Sequence, residues 1–232
     1  MSIAENVAEI RRGIAGRSSG REILLVAATK TNGADAVRQA VAAGVDACGE
    51  NRVQEFLEKD AQGAYDGAPK HFIGHLQRNK VSKIVGRVDL IQSVDSEELL
   101  TLISRAAVKL GLTQDVLIEI SIAGERQKSG VAPEGLPELL RFASNCPGVR
   151  VRGLMCIPPV MEAAGGNRVY FAKMRELFID NRAKKYDNVS MDFLSMGMSD
   201  DYLDAVEEGA NMVRVGSAIF GARPTAQATP GP

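Results

Sequence analysis

The chain has 232 residues, of which 45% are hydrophobic and 25% are charged, and its formal net charge is −1. This length is long for one ordinary domain but usual for a single α/β barrel, and it is ample for a large core. Charges of both signs are mixed along the chain, so the composition argues against a nucleic-acid-binding protein. No apolar run is long enough to span a membrane, which argues against a membrane protein.

The predicted elements alternate between strands and helices along the chain, as they do in an α/β barrel. Ile3, Val7, Ile10 and Ile14 recur at helical spacing and predict a first helix. Eight short apolar runs follow, and each is predicted to be a β-strand. They cover residues 22–28, 45–48, 71–74, 88–94, 115–121, 149–156, 189–196 and 211–216. Each run except the last is followed by a predicted helix, among them one over NKVSKIVG after the third strand.

Strand–helix alternation indicates a parallel sheet, and eight such units in this length indicate a closed barrel. An open doubly wound sheet would more often have a glycine-rich turn after its first strand, but the turn here reads TKTNG. The predicted fold class is therefore α/β, a single (β/α)8 TIM-type barrel with an N-terminal helix. The barrel is predicted to span residues 1–224, and residues 225–232 are predicted to form a flexible tail.

The cysteines and histidines predict neither disulfides nor a metal site. Cys48, Cys146 and Cys156 are an odd number, without the Cys-x-x-Cys or Cys/His spacing of a zinc site. His71 and His75 are four residues apart, but they fall in a strand and a turn rather than on one helix face. The N-terminal segment lacks the apolar core of a signal peptide. Free thiols and this N-terminus predict a cytoplasmic protein.

The loops after strands seven and eight are rich in glycine and serine. They read SMGMSDD and VGSAIFG, and barrels commonly bind phosphate at this place through backbone N–H groups and hydroxyls. Ser199 is predicted to cap the seventh helix, and Gly216 and Ser217 are predicted to offer donors to the same anion. The alternative is that Ser199 is only a helix cap and Gly216 only a tight turn.

Lys30 follows the first predicted strand and would lie at the same barrel mouth. One interpretation is a solvent-exposed cation, paired with Glu50. The other is an amine that forms a Schiff base with a carbonyl, because partial burial lowers the pKa of an ammonium group. A carbonyl ligand that also carries a phosphate would use both features, and pyridoxal 5′-phosphate (PLP) is such a ligand.

Three further residues are candidates at the mouth. Arg214 alternates with two valines of the last strand, so it points either into the barrel or outward, where Glu119 or Asp192 could pair with it. Asn51 is expected either to bind a ligand or to cap the following helix. Met198 is expected either to line a ligand pocket or to fill the core.

Seven blocks of the sequence together resemble one known family. The blocks are LLVAATKT, GENRVQE, HFIGHLQRNK, IQSVDS, GLMCIPP, LSMGMSDDY and VRVGSAIFG, and they run in order from residue 24 to residue 221. They resemble the YggS/PROSC family of pyridoxal phosphate homeostasis proteins. The resemblance implies a barrel like the N-terminal domain of alanine racemase.

The resemblance also implies roles for individual residues. It implies that Lys30 carries PLP as a Schiff base, and that Ser199, Gly216 and Ser217 bind the phosphate. It further implies that Arg214 faces the pyridine nitrogen, which would keep that nitrogen unprotonated because a guanidinium keeps its protons. Asn51 and Met198 lie in motifs that line the cofactor in the family.

The implied function is intracellular PLP (vitamin B6) homeostasis, in which the protein buffers PLP or delivers it to PLP-dependent apoenzymes. The alternative is a PLP-dependent enzyme of weak or unassigned activity, similar to an amino-acid racemase. Racemisation needs a base on each face of the carbanion, and the family comparison supplies only Lys30. The racemase domain that provides the second base is expected to be absent, so the sequence favours a carrier over an enzyme, compatible with a monomer.

Overall fold

The computed structural model describes residues 1–124, 129–159, 161 and 165–221. The predicted barrel boundary at residue 224 and the predicted tail over 225–232 lie outside the described residues. Within the described part of the chain, no helix is long and apolar enough to cross a membrane.

Eight parallel strands close into a barrel, which confirms the predicted fold class. Each strand pairs with its neighbours in sequence, and β8 pairs with β1 to complete the ring. The strands are β1 (Leu24–Ala28), β2 (Ala47–Glu50), β3 (Lys70–Phe72), β4 (Leu90–Val94), β5 (Gln114–Ile120), β6 (Val149–Cys156), β7 (Val189–Ser195) and β8 (Met212–Val215).

Helices surround the barrel. They are α1 (Ile3–Arg17), α2 (Ala34–Ala42), α3 (Val53–Asp60), α4 (Glu97–Leu110), α5 (Leu136–Ala143), α6 (Arg168–Arg182), α7 (Tyr202–Glu207) and α8 (Ser217–Phe220). The helix predicted after the third strand is a 3-10 helix, Arg78–Lys83, in which only Val81 is buried. The helix ends before Ile84, whose φ is −111°, although Ile84 and Val85 are buried as well. The short helix α8 was not predicted.

Local sequence signals set the ends of two long helices. Ser2 and Glu5 form a reciprocal capping box at the start of α1, with each side chain accepting a hydrogen bond from the other's backbone N–H. Ser96 caps α4 by accepting from the Leu99 N–H, and α4 ends at Gly111, whose φ of 67° is the left-handed conformation that glycine tolerates. These caps hold the helices in register with the strands they cover.

Two apolar clusters divide the core. The larger lies between the strands and the helices, and a smaller one consists of alternate strand residues and fills the barrel interior: Val26, Ala47, Leu90, Leu117, Met155 and Met212. On β1, Val26 belongs to the interior cluster, whereas Leu25 and Ala27 belong to the outer one. The same alternation directs Lys30 toward the inside of the barrel mouth.

Candidate functional site

Lys30 lies in the turn directly after β1 and is half-buried. Together with Asn51 and Gly74 it lines a cavity of 610 Å³ at the mouth of the barrel. The strand is buried, and its inward alternation carries the lysine stem past an apolar interior toward this cavity. Lys30 is therefore not a surface charge that merely follows a strand.

Glu50, which was expected to pair with Lys30, binds Lys59 and Thr29. Glu50 ends β2 and points away from the barrel interior, where its Oε2 is 2.6 Å from the Lys59 Nζ of α3. The same oxygen accepts a hydrogen bond from the Thr29 hydroxyl at 2.9 Å, and Lys59 also donates to the Thr29 carbonyl oxygen at 2.8 Å. All three residues are buried. This network fixes Thr29, which lies between the end of β1 and Lys30.

The residue after Lys30 has an unfavourable backbone conformation. Thr31 has a φ of 65°, which is the left-handed region and is costly for a β-branched residue. Its N–H donates to Glu55 Oε2 at 2.9 Å, and its hydroxyl donates to the Lys30 carbonyl oxygen at 2.6 Å. Because neighbouring groups hold this conformation, the direction in which the chain leaves Lys30 is fixed.

Asn51 does not cap α3. The N-cap of α3 is Arg52, and no side chain caps the helix. The Asn51 Oδ1 atom is buried and has no hydrogen-bond partner among the described residues. A buried acceptor without a donor is costly, so this atom suits a ligand that offers an N–H or O–H group. Gly74 packs so closely on Asn51 that a side chain at position 74 would collide with the Asn51 backbone.

Ser199 does not cap α7, contrary to the sequence prediction. The N-cap of α7 is Asp201, and the Ser199 hydroxyl turns toward β8. There its Oγ accepts hydrogen bonds from the backbone N–H groups of Gly216 (3.1 Å) and Ala218 (3.3 Å). Two backbone donors that converge on one oxygen form an arrangement that also suits a phosphate oxygen.

Ser217 and Met198 flank this pair of donors. Ser217 is the first residue of α8 and its side chain is exposed. Met198 is half-buried in the loop after β7, and its N–H donates to Asp201 Oδ1 at 2.7 Å. Met198 therefore does not belong to the fully buried core, which was one of its two expected roles.

The lysine and the backbone donors lie at the same end of adjacent strands. Ala27 of β1 pairs with Val215 of β8. Gly216 is the next residue after Val215, and Lys30 is three residues after Ala27. A Cβ atom at position 216 would be 3.3 Å from the Ala28 carbonyl oxygen. Such a distance is shorter than usual van der Waals contact, and glycine allows the two strand ends to approach. The cavity of Lys30, however, does not extend to Ser199, Arg214, Gly216 or Ser217.

Arg214 points into the barrel. Its Nη1 donates to the Ser195 hydroxyl at 2.6 Å and its Nη2 to the Cys156 carbonyl oxygen at 2.8 Å. The two acids considered as ion-pair partners do not pair with it, because Asp192 binds Arg152 and Glu119 makes no ion pair with it. Arg214 is 3% exposed, and burial lowers the pKa of its guanidinium, which nevertheless stays protonated.

A chain of hydrogen bonds continues from Arg214 across the barrel interior. The Ser195 hydroxyl donates to Gln92 Oε1 at 2.7 Å, and Gln92 Nε2 lies 2.9 Å from His71 Nδ1. Burial lowers the pKa of His71 to about 4, so the ring is neutral and Nδ1 accepts the bond. Gln92 and Ser195 were not predicted as site residues, although both are polar residues within otherwise apolar strands.

Glu119 is a second ionisable group inside the barrel. It lies on β5 and is 5% exposed. Burial is the largest cause that raises the pKa of its carboxyl group; the neighbouring Asp95 also raises it and Arg214 lowers it, and the resulting pKa is about 7. At neutral pH this carboxyl group is therefore partly protonated and can exchange a proton.

Comparison with known proteins identifies the family of this chain. The family model of the alanine racemase N-terminal domain matches residues 1–224. Pyridoxal phosphate homeostasis protein of Aquifex aeolicus is 45% identical over 199 residues, with 86% of each chain covered. Its counterpart in Pseudomonas aeruginosa is 40% identical over 227 residues, with 96% of each chain covered. The chain belongs to the pyridoxal phosphate homeostasis protein family.

Solved structures agree with this family. PipY of Synechococcus elongatus without PLP matches with a TM-score of 0.84 at 35% identity, covering 95% of this chain and 100% of that one. PipY with PLP bound matches with a TM-score of 0.81 at 34% identity and the same coverage. An alanine racemase of Clostridium difficile, at 18% identity and a TM-score of 0.73, shares the fold of the homeostasis protein family.

Proposed function

We propose that this protein binds PLP at the mouth of its barrel and acts in intracellular PLP homeostasis, by buffering the cofactor or by delivering it to PLP-dependent apoenzymes. Its relatives in Aquifex aeolicus and Pseudomonas aeruginosa carry this function in their names, and PipY has a structure with PLP bound. The three cysteines are free and buried, which fits a reducing compartment, and we assign the function to the cytoplasm.

The observation that carries the proposal is the joint position of Lys30 and the two converging backbone N–H groups. Paired strands bring the lysine amine and these donors to one end of the barrel. We assign covalent attachment of the cofactor to Lys30 and phosphate binding to Ser199, Gly216 and Ser217. Asn51 offers its unpartnered amide oxygen beside Lys30, and we assign Met198 to the wall of the site.

Bound PLP supplies an aldehyde that reacts with amines and a ring that withdraws electrons from the attached carbon. We assign Arg214 to the ring nitrogen. Its guanidinium is fixed by Ser195 and by the Cys156 carbonyl, and it cannot accept a proton. A ring nitrogen that faces it would act as an acceptor and stay unprotonated, which weakens electron withdrawal and favours holding over catalysis.

The positions of the tyrosines support a carrier. The Tyr202 hydroxyl lies beside Gly13 of α1, and a Cβ at Gly13 would be 3.3 Å from it. The Tyr65 hydroxyl is buried against Glu50. Tyr170 and Tyr186 pack against the core between sheet and helices. None of the four lines the cavity of Lys30, so no tyrosine is available there as a second base.

One observation favours the alternative function, an enzyme of weak activity. Glu119 lies inside the barrel with a pKa of about 7, which is suited to proton transfer at neutral pH. If Glu119 served as a base, the protein would exchange the α-hydrogen of an amino acid in deuterated water. Loss of that exchange in both Lys30→Ala and Glu119→Gln would establish the enzyme and refute the carrier.

The attachment itself can be tested by borohydride reduction of the PLP-loaded protein, followed by peptide mass spectrometry. We expect the reduced adduct on the Lys30 peptide and no visible absorption band of bound PLP in Lys30→Ala. Lys109→Ala is the matched control, because Lys109 is an exposed lysine of α4. An adduct of equal yield in Lys30→Ala would refute the assignment of Lys30.

Delivery can be tested by mixing the loaded protein with a PLP-dependent apoenzyme while a PLP-consuming trap removes free cofactor. Apoenzyme activation that survives the trap indicates direct transfer. Activation that the trap abolishes indicates that the protein only buffers free PLP, and it would exclude delivery as part of the function.

A further inference from the structure

A groove beside Lys30 is lined mostly by residues that are not assigned to PLP; Lys30 and Asn51 are the exceptions. It runs between the first turn of α3 and the 3-10 helix Arg78–Lys83, and it is the 610 Å³ cavity on which Lys30 and Asn51 open. This volume is that of a small-molecule site. The assigned phosphate donors follow β7 and β8, on the other side of Lys30, and do not line the groove.

The walls of the groove are basic. Arg52, Lys80 and Lys83 line it in addition to Lys30. Within the described part of the chain, neither Lys80 nor Lys83 makes an ion pair, and Arg52 pairs only with Glu55, at 3.3 Å. Cations that converge on a concave surface without acidic partners raise the local concentration of anions.

The single acid that lines the groove is already engaged. Glu55 Oε2 accepts the Thr31 N–H at 2.9 Å and lies 3.5 Å from the Lys59 Nζ, while Oε1 faces Arg52. Its charge is therefore directed at these three partners, and Lys80 and Lys83 remain uncompensated.

The groove also offers backbone donors. No side chain caps α3, and the first bond within the helix is donated by Phe56 to the Arg52 carbonyl oxygen. The preceding residues of the first turn, Val53, Gln54 and Glu55, line the groove. Uncapped N–H groups at the start of a helix bind anions, and the helix dipole adds to the attraction.

We propose that this groove binds the phosphate group of a small phosphorylated metabolite, as a second anion site distinct from the phosphate donors of β7 and β8. The Lys80 and Lys83 ammonium groups and the first turn of α3 hold the phosphate. The site is built from residues of α3 and the 3-10 helix, so it does not depend on PLP attachment at Lys30.

Calorimetric titration with glycerol 3-phosphate and with inorganic phosphate, at constant ionic strength, tests the site. The protein is first loaded with PLP and reduced with borohydride, so that the donors of β7 and β8 are occupied. We expect one site, whose affinity falls about tenfold or more in Lys80→Gln/Lys83→Gln, because each charge-assisted hydrogen bond contributes substantially. Binding should weaken further as salt is raised.

Two variants keep this test specific. Arg78→Gln removes an exposed charge that pairs with Glu98 and does not line the groove, and it should bind as the wild type does. Gln54→Glu places a negative charge in the first turn of α3 and should weaken binding without touching the lysines. Tighter binding of glycerol 3-phosphate than of inorganic phosphate would identify a phosphate ester as the ligand. Equal affinity would identify free phosphate.

The proposal is overturned if Lys80→Gln/Lys83→Gln binds both probes as tightly as the wild type, or if the wild type binds neither. If the protein takes up no PLP, the same titration on the unloaded protein still compares the variants of the groove. A failure of PLP binding and a failure of the groove therefore give different results.

Discussion

Two polar clusters lie beneath the mouth of the barrel, and they differ in how charge is compensated. Outside the barrel, under Lys30, the buried carboxylate of Glu50 meets the ammonium group of Lys59 at 2.6 Å. Inside the barrel, Arg214 is bound by a hydroxyl and a carbonyl oxygen and has no ion-pair partner among the described residues. The outer cluster is complete without a ligand, whereas the inner one leaves a buried cation that a ligand can use.

The difference suggests that the two clusters have different roles. The outer cluster holds the strand ends and the turn from which Lys30 projects, so its effects should appear mainly in stability. The inner cluster sets the electrostatics that a bound ring would experience, so its effects should depend on pH and on ligand. Each variant below tests one side of this contrast.

Lys59→Met should have the largest effect. It leaves Glu50 buried without its counter-ion and the Thr29 carbonyl oxygen without its donor, and breaking a buried pair costs about 3–5 kcal/mol. Urea unfolding should show this loss, while the exposed Lys109→Met changes stability by less than about 0.5 kcal/mol. The double variant Glu50→Gln/Lys59→Met should recover part of the loss. Equal stability of Lys59→Met and wild type would show that the outer cluster is not structural.

Glu119→Gln should change the pH dependence of stability. The pKa of Glu119 is raised from 4.5 to about 7, so the folded protein binds the proton more tightly than the unfolded chain. Stability is therefore lost as pH rises from about 4.5 to 7, by roughly 3 kcal/mol from this group. Glu119→Gln should remove that decline in unfolding experiments across this range. The exposed Glu134→Gln should keep it, and an unchanged decline in Glu119→Gln would contradict the inner cluster as described.

Thr31→Asn should have the smallest effect and the opposite sign. Asparagine tolerates a positive φ better than a β-branched residue and can still form a local hydrogen bond, so a gain of about 1 kcal/mol is expected. Thermal unfolding measures it, with Thr113→Asn, at a residue without positive φ, as the control. A loss of stability would mean that the hydroxyl bond to the Lys30 carbonyl outweighs the backbone strain.

Much of the fold follows from the sequence because each strand is a short apolar run. The run at residues 149–156 became β6 with the same limits, and Ser96 and Gly111 bound α4 as their residue types suggest. The helix predicted over residues 79–86 was wrong in type and extent: the structure has a 3-10 helix over Arg78–Lys83, which ends before the buried Ile84 and Val85. Periodicity over a segment describes local preference, whereas the length of a helix also depends on what the neighbouring elements allow it to bury.

The candidate site was less accessible from the sequence. Lys30 could be placed at the mouth because the end of a strand is a local feature, whereas strand alternation alone left Arg214 pointing either into the barrel or outward. The cap role of Ser199 was wrong because its hydroxyl is directed by the contact between the loop after β7 and the start of α8. The ion pair of Glu50 with Lys59 required knowledge of which face of α3 lies on β2. Such choices are made by tertiary packing, and no single segment contains them.

In the hydrogen-bond chain inside the barrel, each residue donates to the next one, and this order of donors and acceptors restricts proton transfer along the chain. Arg214 donates to Ser195, Ser195 to Gln92, and Gln92 to His71, so every donor points away from the mouth. Reversal would require the guanidinium to give up a proton, which does not happen in proteins. The chain of hydrogen bonds therefore does not relay protons between Arg214 and His71.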